Sequence, residues 1–413
     1  MNGPLLEVQG LTKHFPVKLP FLQRVFMKDP PVVHAVDDVS FTLRPGEIFG
    51  LVGESGCGKT TVGRTVLRLL PPTSGTVRFG GTDITKLKEK ELRPIRKGMQ
   101  IIFQDPHAAL NPAMSIGQGI ADPLLIHEEA TEAEAKDAAL QIMTEVGLSP
   151  AEQLYTKYPG ELSGGQKQRA VIARAMILKP KLVVADEPVA MLDMSIRAKI
   201  LELMLDLKTK YGLTYLFITH DLATAKFICD RIAIMYLGRI VEVGDAKEIY
   251  ATPKHPYTQA LLGAIPIPDP DRRRFKTLPK GEVPDAIHPP MGCRFHPRCP
   301  VATLACGWEG HDLFDLLERR ALTPAIAAED SRLLGPLKKI RPDRNTLRIP
   351  VRAGDPAAMM SHVKTLLQQG PDAMMQAVHS IGVSGDELVA EFNPSEDPGM
   401  RRVGDREVRC VLY

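Results

Sequence analysis

The sequence contains no apolar run approaching the roughly 18 residues that a membrane-spanning helix requires, so any work at a bilayer depends on a partner that supplies the span. Its first residues, Met1-Asn2-Gly3-Pro4, lack the basic-then-apolar layout of a secretory signal, and the chain reads as cytosolic. It has little excess charge: 52 Lys and Arg stand against 49 Asp and Glu, a formal net charge of +3, which excludes binding to nucleic acid mainly by bulk charge. There is no internal repeat and no long low-complexity tract, which excludes a solenoid or a fibre. Cysteine is scarce, six in 413 residues, so a disulfide scaffold is excluded. Three of the six, Cys293, Cys299 and Cys306, nevertheless fall in one short stretch, which in a reducing compartment suggests metal rather than disulfide. What is present, 44% hydrophobic and 24% charged residues, is the composition of a folded chain whose length predicts two or three domains.

Short β-branched runs alternate with helical patterns over the first two-thirds, as in an α/β domain with a largely parallel sheet. The clearest strands are expected at Glu47 to Val52, Met99 to Phe103, Lys181 to Ala185 and Thr214 to Thr219. Between the second and third of these the strand signal lapses, and Thr131 to Val146 carries Ala, Glu and Leu at helical spacing. A helical subdomain at 106–162 is therefore expected inside a domain spanning 1–265. Ile265-Pro-Ile-Pro-Asp-Pro-Asp271 then reads as a linker. A second, small cysteine-bearing domain is expected at 266–413, with amphipathic helices within Gly310 to Ala328 and Ala357 to Gln376.

Gly53-Glu54-Ser55-Gly56-Cys57-Gly58-Lys59-Thr60 follows an apolar strand, and Thr61 opens a helical pattern running to Leu70. This is the phosphate-binding pattern G-x-x-x-x-G-K-[ST] in the context it needs. Its glycines let backbone N–H groups turn inward on phosphate oxygens, the helix start favours negative charge, Lys59 reaches the outer phosphates, and Thr60 offers its hydroxyl to Mg²⁺. Leu182-Val-Val-Ala-Asp186-Glu187 is an apolar strand closing on two carboxylates. Asp186 suits a partner of Mg²⁺, and Glu187 a water attacking the γ-phosphate. Between these elements lies Leu162-Ser163-Gly164-Gly165-Gln166, where Ser163 as N-cap and the glycine N–H groups at a helix start form a second anion site.

One P-loop has no use for a second phosphate cradle unless the cradle serves a neighbour's nucleotide. The order P-loop, Gln104, LSGGQ, Asp186-Glu187, Asp193, His220 resembles the ATP-binding cassette (ABC) family, in which two domains pair head to tail and each ATP lies between one P-loop and the other subunit's LSGGQ. The resemblance implies the P-loop ABC nucleotide-binding fold and ATP hydrolysis to ADP and phosphate. It implies that Gln104 senses Mg²⁺ and water, that His220 contacts the γ-phosphate and orients Glu187, and that Asp193 speaks across the dimer. Phe15, in His14-Phe15-Pro16, would stack on adenine; its other reading is a core or surface Phe. Phe103 to Pro112, Tyr236 to Glu242 and His255 to Leu262 are similar to the ATPase subunits of oligopeptide and dipeptide importers, a group that also drives uptake of nickel, glutathione and related solutes. The insertion Val17 to Val33 and Met99-Gln-Ile-Ile-Phe-Gln104 resemble the second of two sister ATPases in that group. The implied partners are two membrane permease subunits, a sister ATPase in a head-to-tail heterodimer and, indirectly, an extracytoplasmic solute-binding protein. The implied place is peripheral, on the cytoplasmic face of the cell membrane. A soluble ABC ATPase acting on nucleic acid or ribosomes is the alternative from a different class; such proteins commonly carry two cassettes or a long coiled-coil insertion, and neither is visible here.

The cysteine stretch has the spacing C-x₅-C-x₆-C on a Pro-rich segment. Sulfur ligands converging there suit Zn²⁺ or an iron–sulfur cluster, the spacing fits neither C-x₂-C zinc pattern, and three free thiols are the remaining reading. In the importer ATPases the same motif holds a [4Fe-4S] cluster whose fourth ligand lies in a hydrophobic-x-Cys-x-Leu segment. Val408-Arg409-Cys410-Val411-Leu412 resembles that segment, but follows an insertion at about 307–405 where a short connection is expected. Loop-closure entropy grows only logarithmically with length, so the distance does not forbid Cys410 from joining. Cys57 is expected to contribute backbone only, and Cys229 to be a buried small side chain.

Overall fold

Residues 3–18, 30–264, 279, 281–351 and 355–413 are described by the computed structural model; the linker expected at Ile265 to Asp271 and most of the insertion after Phe15 lie outside them. The described residues divide into two units, Met1–Thr252 and Pro253–Tyr413.

In the first unit, β1 (Leu6–Pro16), β2 (Val32–Leu43), β4 (Ser74–Phe79) and β5 (Thr82–Asp83) form an antiparallel sheet in the order β2-β1-β4-β5. A second sheet contains β3 (Ile48–Val52), β6 (Met99–Ile102), β7 (Leu182–Asp186), β8 (Thr214–Thr219), β9 (Arg231–Tyr236) and β10 (Arg239–Asp245), with successive neighbours β10-β9-β3-β8-β7-β6. Every pair from β9 to β6 is parallel, and β10 returns antiparallel to β9. All residues of β3, β7 and β8 are buried, as expected of parallel strands covered on both faces. Each fully buried Val, Leu or Ile there contributes about 1.5–3 kcal/mol.

The helices of this unit are α1 (Lys59–Val66), α2 (Glu89–Arg96), α3 (Pro106–Ala109), α4 (Ile116–Ile126), α5 (Glu132–Glu145), α6 (Ala151–Tyr155), α7 (Gly164–Met176), α8 (Met194–Tyr211), α9 (Leu222–Ile228) and α10 (Ala246–Ala251). From α3 to α7 the described chain is helical without a strand. Three of its helix starts are reciprocal capping boxes: Ser115 with Gln118 opens α4, Thr131 with Glu134 opens α5, and Ser163 with Gln166 opens α7.

The four parallel strands β3, β8, β7 and β6 are consecutive neighbours, and each ends on a chemically loaded segment: the P-loop, His220, Asp186-Glu187 and Gln104. The sheet therefore sets these groups side by side along its carboxyl edge, where ligands bind in such folds.

The second unit begins with α11 (Pro256–Gly263); its described residues 281–309 carry three cysteines and no strand, and α12 (Gly310–Ala321), α13 (Pro324–Leu334), β11 (Arg341–Pro342), β12 (Thr346–Pro350), α14 (Pro356–Gln369), α15 (Asp372–Ala377), β13 (Val378–Ser384) and β14 (Glu387–Phe392) follow. An antiparallel sheet β11-β12-β14-β13 packs with these helices around Trp308, Leu313, Leu347, Val363, Leu366 and Phe392. β15 (Arg401–Val403) and β16 (Arg406–Val408) make a hairpin just before Cys410. Where the periodicity predicts single helices, the chain breaks each in two. Pro324 lacks the N–H to continue α12, and Gly370-Pro371 interrupts the second run.

Candidate nucleotide and cysteine sites

The P-loop wraps tightly between β3 and α1. Gly58 has φ +105° and a Cβ there would lie 2.0 Å from the Ala35 carbonyl oxygen, so a side chain is excluded on conformation and on space. Lys59 is buried, and its Nζ donates to the Gly53 and Glu54 carbonyls at 2.9 Å each, which holds the ammonium within the loop. Burial pushes the Cys57 thiol up from its ordinary value, with Lys59 opposing, so the thiolate needed for redox chemistry is disfavoured. Thr60 donates its hydroxyl to Asp186 Oδ1 at 3.0 Å. Asp186 is itself buried, and desolvation raises its carboxyl despite that hydrogen bond; a cation beside it would relieve the penalty.

Glu187 stands at the next position in a left-handed backbone conformation, φ +48°, pinned by its N–H to the Ile218 carbonyl at 2.9 Å. Both carboxylate oxygens are engaged: Gln104 Nε2 donates to Oε2 at 3.0 Å, and His220 Nδ1 lies 2.9 Å from Oε1. Glu187 is 12% and His220 54% exposed, so the carboxylate is recessed beneath an imidazole open to solvent. Three groups named from sequence, on three different strand ends, thus form one hydrogen-bonded set.

Ser163 caps α7. Its hydroxyl accepts from Gln166 N–H at 3.3 Å while Gln166 Oε1 accepts from Ser163 N–H at 2.9 Å. Ser163 and Gly164 are exposed. Asp193 precedes α8 without a side-chain cap bond and is flanked by Met191 and Met194, 60% and 85% exposed. Phe15 is half-buried near the end of β1, with Lys13 Nζ 5.0 Å from its ring centre.

In the second unit all four candidate cysteines are free, three of them buried and Cys299 half-buried. Gly307, at φ +113° and with a hypothetical Cβ 2.3 Å from the Met291 carbonyl, allows the close approach in which Cys293 N–H donates to Cys306 O at 2.9 Å. His296 braces the turn, with Nδ1 2.8 Å from the Cys293 carbonyl and Nε2 3.0 Å from Asp312 Oδ2. Burial pushes Cys293 up to about 12 and Cys299 up to about 11, and Cys306 and Cys410 add to both shifts; all four thiols therefore share one electrostatic neighbourhood. Among the described residues no three of these sulfurs come within 4.8 Å of one another, whereas thiolates on one tetrahedral zinc sit about 3.8 Å apart.

Sequence reasoning missed one group: His14, His34 and Asp37 place ligand atoms within 4.8 Å of one another. Only cross-strand pairing brings them together.

The ABC transporter family profile matches residues 36–190, and the oligopeptide/dipeptide transporter C-terminal region profile matches 241–306. The chain is 46% identical over 336 residues to the "Probable peptide ABC transporter ATP-binding protein y4tS" of Sinorhizobium fredii, covering 80% of this chain and 94% of that one. It is 47% identical over 305 residues to the oligopeptide transport ATP-binding protein OppF of Salmonella typhimurium, covering 73% and 90%. Among solved structures it is similar to the ATP-binding cassette MJ0796, a dimer in a post-hydrolysis state with ADP and Pi, at 27% identity and TM-score 0.51, covering 58% of this chain and 98% of that one.

Proposed function

Because the chain belongs to the ABC transporter family, among the ATPases of peptide importers, we propose the following residue roles for the activity that membership carries, ATP hydrolysis powering peptide import through membrane permease partners. The P-loop N–H groups from Gly53 to Thr61 cradle the phosphates, and Lys59 exchanges its carbonyl contacts for phosphate oxygens. Mg²⁺, when bound with ATP, is held through Thr60, Asp186 and Gln104 and supplies neutralising charge. Glu187 accepts the proton of the attacking water, and His220 and Gln104 fix its carboxylate in the required direction. The observation that carries this reading is the bracing of Glu187 at both oxygens, since phosphoryl transfer depends mainly on positioning. Phe15 stacks on adenine.

The exposed Ser163-Gly164 helix start, together with Met191, Asp193 and Met194, supports a head-to-tail pairing with a sister ATPase in which each signature helix closes on the other subunit's nucleotide. No helix among the described residues is long and apolar enough to cross a membrane, which agrees with a peripheral subunit; we place it on the cytoplasmic face, with a solute-binding protein on the far side. Cys293, Cys299, Cys306 and Cys410 hold a [4Fe-4S] cluster in a small C-terminal domain. What supports this reading is that the charges of Cys306 and Cys410 act on both Cys293 and Cys299, and since hydrolysis uses no electron carrier the role assigned to the cluster is structural or regulatory. Affinity isolation from membranes tests the partnership: two permease subunits and a second ATPase should accompany the chain, and recovery with ribosomes or nucleic acid instead would overturn it.

A further inference from the structure

His14 and His34 are directly opposed residues of the β1–β2 pair, so both side chains leave the same face of the sheet. Asp37 follows His34 by three positions, a spacing that a regular strand would send to the other face. The pairing advances one residue on β1, from Lys13 to His14, while it moves two on β2, from Val36 to His34. Ala35 is the extra residue of a bulge, and it returns Asp37 to the histidine face.

The result is a compact donor set. The imidazole centres are 4.2 Å apart with planes inclined 59°, and His14 Nε2 lies 3.4 Å from Asp37 Oδ1. That nitrogen is buried and makes no hydrogen bond. Two ligands each 2.0–2.1 Å from a tetrahedral ion stand about 3.4 Å apart, so the separation is that of co-ligands. Arg239 Nη2 holds the other oxygen, Asp37 Oδ2, at 3.2 Å, which orients the carboxylate and leaves Oδ1 turned toward the histidines. The His14 and Asp37 side chains are half-buried, 23% and 19% exposed.

We propose that His14, His34 and Asp37 bind one divalent transition-metal ion of the Zn²⁺ class, fastening β1 to β2 one residue before Phe15. Two imidazoles and a carboxylate select a borderline cation over Mg²⁺ or Ca²⁺, which take oxygen ligands, and three protein ligands leave a fourth position for water. The alternative is an ion pair between protonated His14 and Asp37 that binds no metal.

The test uses the full-length chain with its cysteines unchanged. Equilibrium dialysis against Zn²⁺ should give one equivalent more for the parent than for His34→Ala and Asp37→Asn, and His34→Gln serves as a second variant that preserves volume. Titration with Co²⁺ should give ligand-field absorbance without thiolate charge transfer for that equivalent, absent from each variant whose circular dichroism matches the parent. Equal zinc stoichiometry in parent and folded variants, or cobalt bands that all carry thiolate charge transfer, would overturn the site.

Discussion

Replacing Glu187 by Gln changes one oxygen to an amide nitrogen and little else. The backbone bond from its N–H to Ile218 does not involve the side chain, and the amide oxygen can still accept from Gln104, which now donates to Glu187 Oε2. The amide nitrogen can donate to His220 Nδ1, now 2.9 Å from Oε1. Folding and ATP binding should therefore be preserved, with the unfolding free energy unchanged within the roughly 0.5 kcal/mol typical of a benign substitution. What is lost is a proton acceptor. A positioned general base contributes about 10²–10⁴-fold, which at 1.36 kcal/mol per decade is about 3–5 kcal/mol of barrier. Phosphate release at saturating Mg·ATP should fall by that factor while the Kd for ATP, read by nucleotide fluorescence, stays within about twofold. Turnover within tenfold of the parent would refute the role of Glu187. Loss of both ATP binding and stability would refute the geometric argument that its side chain is dispensable for folding.

Acid should weaken the second unit through His255, which is fully buried, its Nδ1 accepting from Tyr257 N–H at 3.0 Å. Burial depresses its imidazole from 6.5 to about 3, so the unfolded chain binds a proton that the folded chain refuses. Stability present above about pH 6.5 is lost as pH falls toward 3, about 2–3 kcal/mol of it by pH 4.5; His255→Asn, which can still cap α11, should flatten the dependence of the unfolding midpoint on pH, and an unchanged slope would contradict the assignment. Anaerobic purification should yield equimolar iron and acid-labile sulfide, reduced in Cys293→Ser and in Cys410→Ser; zinc, or no metal, would contradict the cluster. Retention of full iron by Cys410→Ser alone would remove that residue from the ligand set.

The nucleotide machinery was legible because each of its parts is a short segment at the end of an apolar strand. Lys59, Asp186-Glu187, Gln104 and His220 needed only the strand order β3-β8-β7-β6 to meet, and the sequence resemblance already implied that they do. Other features were not visible because they depend on register or on distant packing. The His14, His34 and Asp37 group exists through a bulge at Ala35 that no local pattern announces. The sheet β11-β12-β14-β13 is built from strands on either side of α14 and α15, and its alternation is short and broken by proline. Helix periodicity within Gly310 to Ala328 correctly found an apolar stripe but could not by itself end α12 before Pro324. Cys410 shares the field of Cys293 and Cys299 only because the intervening residues form their own packed core around Leu347 and Phe392, which brings the chain back.

As an ATPase of the peptide-importer family, this chain should convert ATP hydrolysis into peptide movement through membrane partners. The most direct test is reconstitution in lipid vesicles with the permease subunits that accompany it from membranes, following a labelled oligopeptide. Uptake should require ATP and be abolished by Glu187→Gln in this subunit. Peptide movement that is indifferent to ATP, or ATP hydrolysis by the complete assembly with no peptide moved, would contradict this role.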